Sequence, residues 1–252
     1  MEKMTLMDRL VSSPVFIFSP PGSGSTLLRC VLGSHSRIHA PPELHLDLFT
    51  VPVSHKFVPT VLDVLGMTAR ELEHLLWDRM LHHELVRSGK QVLVEKTPDN
   101  VRFWQRIAEC WPDAKFIFLI RHPIHIAAGP IDVFGKFVGI RAILQWARFV
   151  DEARAELVGP TVRYEDLTVR PAEVIRELCA FLEVPWEPDM LDYGRFDHGP
   201  FARGLGDWGE NLRSGRIQPP RAMPAPAEIP AALKACCQSW GYLDSPQQTS
   251  TA

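Results

Sequence analysis

Apolar and polar positions along the chain follow two alternating rhythms. Four segments are near-continuous apolar, aromatic or β-branched runs: Val15–Ser19 (VFIFS), Gln91–Glu95 (QVLVE), Lys115–Ile120 (KFIFLI) and Thr161–Tyr164 (TVRY). The first three have too little polar alternation for one wet face, which is the pattern of strands covered on both sides. Between them the apolar spacing changes to three and four. Thr68-Ala-Arg-Glu71 is a capping box, after which Leu72, Leu75, Leu76, Trp77 and Met80 recur at helical spacing and Gly89 follows the last turn. Thr97-Pro98 supplies an N-cap and an N1 proline for a helix predicted to run to about Trp111, before Pro112. Pro171 opens another, with Val174, Ile175, Leu178 and Leu182 on one face. Strands alternating with helices predict an α/β fold around a central parallel sheet with right-handed crossovers.

Neither an internal repeat nor a linker divides the chain, so residues 1–252 read as a single domain. The stretch Arg195–Pro230 is rich in Gly and Pro and has little periodicity, the mark of a long ordered loop of the lid kind. Ala227–Trp240 returns to a helical pattern, and Ser245–Ala252 is expected to fray.

Charge and composition narrow the classes. With 27 basic against 30 acidic side chains the net charge is −3, which removes the basic footprint of a nucleic-acid binder. No apolar run approaches the ~20 residues of a membrane span, and the N-terminus lacks the layout of a signal peptide. Five cysteines form no C-x-x-C pair, and His35 and His39 have no metal-ligand spacing with other candidate ligands. The expectation is a cytoplasmic protein without a metal.

The candidate chemistry lies at strand ends, where open α/β sheets bind ligands. The first strand runs into Pro20-Pro21-Gly22-Ser23-Gly24-Ser25-Thr26-Leu27-Leu28-Arg29. A strand, a Gly/Ser loop and a helix start aim several backbone N–H groups at one point, a ready anion site. It is not a Walker A loop, because Gly24 stands where the lysine before the hydroxyl pair would be. Lys96 lies at the end of the second strand, Arg121 at the end of the third and Tyr164 at the end of the fourth. Two cations beside an anion loop imply a ligand with several negative groups.

In this order the motifs resemble those of sulfotransferases that use 3′-phosphoadenosine 5′-phosphosulfate (PAPS). Pro21–Leu27 resembles the 5′-phosphosulfate loop, Phe118–Pro123 (FLIRHP) the 3′-phosphate segment, and Val162–Leu167 (VRYEDL) the strand whose Tyr lies near the adenine. Gly204–Trp208 with Ser214-Gly215-Arg216 resembles the loop that closes over the nucleotide. Pro41-Pro42-Glu43-Leu44-His45 is similar to the branch of sulfotransferase domains in bacterial polyketide assembly lines, and more distantly to tyrosylprotein sulfotransferases.

The resemblance implies a three-layer fold of the P-loop NTPase kind. It implies sulfuryl transfer from PAPS to a hydroxyl of a small or carrier-tethered metabolite, leaving adenosine 3′,5′-bisphosphate and requiring no metal. Glu43 would be the base with His45 as neighbour or competitor, and Lys96 would stabilise the transferring group. Gly22, Ser23, Gly24, Ser25, Thr26 and Leu27 would cradle the 5′ end, Arg121 and the Gly129 position would meet the 3′-phosphate, and Tyr164 the adenine. Ser214, Gly215 and Arg216 would close over the nucleotide, with Trp208 packing on it.

Two positions depart from the family pattern. Gly22 stands where a Lys or Arg is usual, and Gly129 where a Ser is usual. They keep open a repurposed or inactive nucleotide-binding member. An ATP-dependent phosphotransferase is the other alternative, opposed by the missing loop lysine. Leu48–Gly66 is apolar but poorly periodic, and reads either as core kinked at Pro59 or as an apolar wall for the acceptor.

Overall fold

The computed structural model describes residues 9–127, 139–202, 204–207 and 209–244. In chain order the strands are β1 (Val15–Phe18), β2 (Ile38–His39), β3 (Val92–Glu95), β4 (Lys115–Ile120) and β5 (Thr161–Arg163). The helices are α1 (Ser25–Gly33), α2 (Val58–Leu65), α3 (Ala69–Ser88), α4 (Trp104–Cys110), α5 (Pro123–Ala127) and α6 (Ile140–Glu156), followed by α7 (Tyr164–Val169), α8 (Pro171–Phe181), α9 (Glu210–Arg213) and α10 (Ala231–Ser239). The sheet order is β2-β3-β1-β4-β5, every pair parallel, with Val15 opposite Val94 and Lys115 across β1.

The period of two in β1 sorts its side chains onto two cores. Phe16 and Phe18 pack with Trp77, Trp111, Phe116 and Trp240, in the layer that holds α3, α4, α6 and α10. Val15 and Ile17 pack with Leu28, Val31, Ile117, Ile175 and Leu178 beneath α1 and α8. The result is the three-layer arrangement expected. From β1 the chain crosses to the edge strand β2 and returns to β3, then passes β1 to β4 and β5 on the other side, so the order reverses at β1 and the crevice opens at its carboxyl end.

All four predicted strands form, each within a residue or two of its expected bounds, and β2 is a two-residue edge strand that sequence periodicity cannot register. The Thr68–Glu71 capping box forms with both reciprocal bonds, and Gly89 ends α3 at φ 65°. Thr97 does not cap with its side chain: residues 98–103 form a 3₁₀ turn and α4 begins only at Trp104. The Thr97 hydroxyl instead donates to Glu95, at 2.6 Å.

Candidate functional site

Gly22 and Gly24 turn the chain between β1 and α1 with φ of +81° and +89°, the left-handed region that suits glycine. Gly24 is the N-cap of α1 and offers no side-chain cap, so the first-turn N–H groups carried by Ser25, Thr26 and Leu27 have no intrahelical acceptor. Beside them the Ser23 hydroxyl is buried with no hydrogen-bond partner. A Cβ on Gly24 would overlap the Tyr164 ring, so the loop sits flush against the start of α7. Arg121 stacks over that ring, 4.2 Å from guanidinium to centroid, and its Nη1 donates to Gly22 O at 3.0 Å. Burial, together with the nearby Arg221, pulls the Arg121 guanidinium below its ordinary pKa. Orphaned donors and two neighbouring guanidiniums suit a polyanion.

A second cluster lies on the β3 side of the loop. Glu43 and Lys96 form a buried ion pair, only 7% and 1% exposed. Lys96 Nζ also lies 3.2 Å from Thr26 Oγ1 in the first turn of α1. Burial lowers the Lys96 pKa, and Glu43 pushes back against that shift. The free Glu43 oxygen lies 3.4 Å from His45 Nε2. His45 Nε2 is also 2.6 Å from Gly204 O, and a carbonyl can only accept, so this nitrogen carries the proton. His45 itself stands at φ 47°, unusual for a residue with a side chain.

The Gly/Pro-rich loop closes over both clusters. Glu43 N donates to Leu205 O at 3.4 Å, and Asp207 N donates to Thr26 Oγ1 at 3.0 Å. A Cβ on Gly206 would lie 3.6 Å from Lys96 Nζ, so this backbone roofs the ion pair.

The remaining predicted residues divide. Ser214, Gly215 and Arg216 form a turn of their own: Ser214 Oγ donates to Asn211 O at 2.6 Å, and Tyr193 OH donates to Leu212 O at 3.0 Å. Gly215 packs against Gly194. Gly129 and Trp208 lie outside the described residues. Arg29, on α1 just after the loop, is fully buried and donates to Ala40 O (2.9 Å) and His198 O (3.2 Å), so it adds no cation to the loop. The core reading of Leu48–Gly66 fails, because Leu48, Phe49, Val53, Phe57, Val61, Val64 and Leu65 are exposed and Leu62 alone is buried in α2. Pro59 opens that helix rather than kinking it.

Sequence reasoning missed Glu95, Thr97 and Arg221. The signal for Glu95 was present, a carboxylate ending an apolar strand, and structure adds that it is fully buried. Among the described residues, no group of three or more His, Cys, Asp or Glu could hold a metal, and no helix is long and apolar enough to cross a membrane.

Comparisons with known proteins come down on one family. The model of the sulfotransferase family (Sulfotransfer_3) matches residues 14–188. Nodulation protein NoeE of Sinorhizobium fredii is 32% identical over 208 residues, covering 66% of this chain and 49% of that protein. The chain spans between 26% and 55% of the length of the curated relatives it matches. The sulfotransferase domain from the curacin biosynthetic pathway superposes with a TM-score of 0.65 at 24% identity, over 92% of this chain and 98% of that one. The sulfotransferase domain of the Synechococcus olefin synthase gives 0.67 at 22% identity, over 93% and 97%. These two likenesses establish the fold. The chain belongs to the sulfotransferase family.

Proposed function

We propose that this sulfotransferase-family chain transfers a sulfuryl group from PAPS to a hydroxyl of a small or carrier-tethered metabolite, releasing adenosine 3′,5′-bisphosphate. The observation that carries the reading is the contact of the buried Glu43–Lys96 pair with Thr26, which puts a carboxylate and an ammonium at the mouth of the anion loop. The residues present fit the nucleotide: the buried Ser23 hydroxyl has no partner, and the Gly24 notch leaves the Tyr164 ring beside the loop.

When bound, PAPS supplies an activated sulfuryl group whose bond to the phosphate oxygen breaks as the acceptor oxygen attaches. The loop N–H groups with Ser23, Ser25 and Thr26 would hold the 5′ end, Arg121 the 3′-phosphate, and Tyr164 the adenine face. Glu43 accepts the hydroxyl proton, since His45 Nε2 already carries a proton committed to Gly204 O. Lys96 offsets the charge that develops on the transferring and leaving oxygens. Arg121, bonded to the carbonyl of Gly22, brings positive charge to the position where family members carry a cation. Ser214, Gly215 and Arg216 are left with closing the nucleotide rim. The likeness to sulfotransferase domains from the curacin biosynthetic pathway and an olefin synthase supports a carrier-tethered acceptor.

Thermal shift with adenosine 3′,5′-bisphosphate, against ATP with magnesium, tests the donor. A ligand that binds only the folded state raises stability by RT ln(1 + [L]/Kd). A shift with the bisphosphate alone, followed by label transfer from ³⁵S-PAPS to a panel of hydroxy acceptors, is the expected result. No shift with the bisphosphate overturns the reading, and a shift without transfer assigns the chain to nucleotide binding alone.

A further inference from the structure

We propose that Glu95 is a positioning residue: its buried carboxylate holds the turn that carries Glu43 and the strand end that carries Lys96 in one fixed relation. This rests on the sulfuryl-transfer reading of those two groups.

Glu95 ends β3 after Val92-Leu93-Val94 and is fully buried. Four donors converge on it. Oε1 accepts from Thr97 Oγ1 at 2.6 Å and from Leu44 N at 3.2 Å, while Oε2 accepts from Thr97 N at 3.1 Å and from the Asn100 side-chain amide. A carboxylate has about four acceptor sites and no donor, so four incoming donors match its acceptor capacity. Burial, with neighbouring Glu43, holds the Glu95 pKa above the ordinary carboxylate value, while the hydrogen bonds from Thr97 and Leu44 and the charge of Lys96 pull it back down.

The partners are more telling than their number. Leu44 lies between Glu43 and His45, and Lys96 lies between Glu95 and Thr97. The Thr97 hydroxyl, which donates to Glu95, accepts from His45 N at 3.2 Å. Glu95 therefore grips the 43–45 turn at two successive amides, one directly and one through Thr97. That turn holds His45 at φ 47°, a conformation that persists only where its surroundings over-determine it. Releasing the grip frees the turn to relax and swings Glu43 away from Lys96.

The test uses the full chain with Glu95→Gln, Thr97→Val and Thr97→Ser. Glutamine turns a donor toward the converging donors; valine removes the relay; serine keeps it. Amide hydrogen exchange, which needs no turnover, is expected to speed at Leu44 and His45 by about 10²-fold in Glu95→Gln, and at His45 alone in Thr97→Val. A displacement of about 1 Å at reacting groups can cost about 10²-fold, so kcat should fall on that order in Glu95→Gln while bisphosphate affinity holds. Thr97→Ser should keep wild-type exchange and rate. Unchanged amide exchange in both Glu95→Gln and Thr97→Val overturns the proposal, as does kcat falling in step with bisphosphate affinity or Thr97→Ser behaving like valine. If Glu95→Gln does not fold, the valine–serine pair decides. A wild type that turns over no PAPS sinks the transfer reading instead, and the amides then decide the grip.

Discussion

The two halves of the site are built on opposite principles. On the β4 side, Arg121 and the Gly22–Thr26 loop are left with unspent donors: an orphaned Ser23 hydroxyl, first-turn N–H groups, and an Arg121 Nε without a partner. On the β3 side, Lys96, Glu43, Glu95 and Thr97 are paired with one another before any ligand arrives. The first region keeps donors open to a ligand; the second has its polar groups already paired within the protein. Buried charges must be compensated from within, whereas an anion site must keep its donors free. The proposed division of labour follows: affinity should live on the β4 side, and rate on the β3 side.

The largest expected effect comes from cutting the paired region. Lys96→Met should lower single-turnover transfer by about 10³-fold, as for loss of a strong donor at a developing anion. It should also lower stability in urea by about 3–5 kcal/mol, because Glu43 is left buried and unpaired. Adding Glu43→Gln to it should restore most of the stability and none of the rate. If stability stays low in the double variant, the pair is not the compensated unit described.

Next in size, Arg121→Ala should weaken adenosine 3′,5′-bisphosphate by about 10²-fold in calorimetry, the scale of a lost charged hydrogen bond, with little change in stability. Glu43→Gln should change that affinity far less. Equal losses would erase the distinction between the halves.

Smaller again, Gly24→Ala combines a φ of +89° with overlap onto the Tyr164 ring, and should cost about 1–3 kcal/mol of stability together with bisphosphate affinity. Tyr164→Ala should relieve the overlap but not the φ penalty, so only partial recovery is expected in melting curves. The smallest effect is expected from Gly22→Arg. A Cβ there meets only Ile126 Cγ2, at 3.8 Å, but φ is +81°. A few-fold gain in kcat at about 1 kcal/mol of stability would show that a loop cation limits the rate. An unchanged kcat would show that Lys96 and Arg121 already supply the charge.

How far the sequence could be read depended on distance along the chain. Buried strands, the capping box at Thr68, the glycine stop at Gly89 and the Pro171 helix rest on periodicity and turn chemistry within a few residues, and each formed. The predicted Thr97–Trp111 helix came out as a 3₁₀ turn followed by α4, because the Thr97 hydroxyl is drawn to Glu95 and does not cap. Residues 48–65 could not be assigned to core or surface from their own apolar content, since burial depends on what packs against them.

Sequence alone therefore determined the alternating α/β plan, the Gly/Ser loop after β1 and the cations at the strand ends, because local backbone preference and side-chain period set these. Tertiary structure decided that Glu43 meets Lys96 across 53 positions, that Arg121 stacks on Tyr164 against Gly22, and that Arg29 serves the core instead. Those pairings come from parallel crossovers bringing remote strand ends to one edge, where desolvation makes each buried charge find a partner.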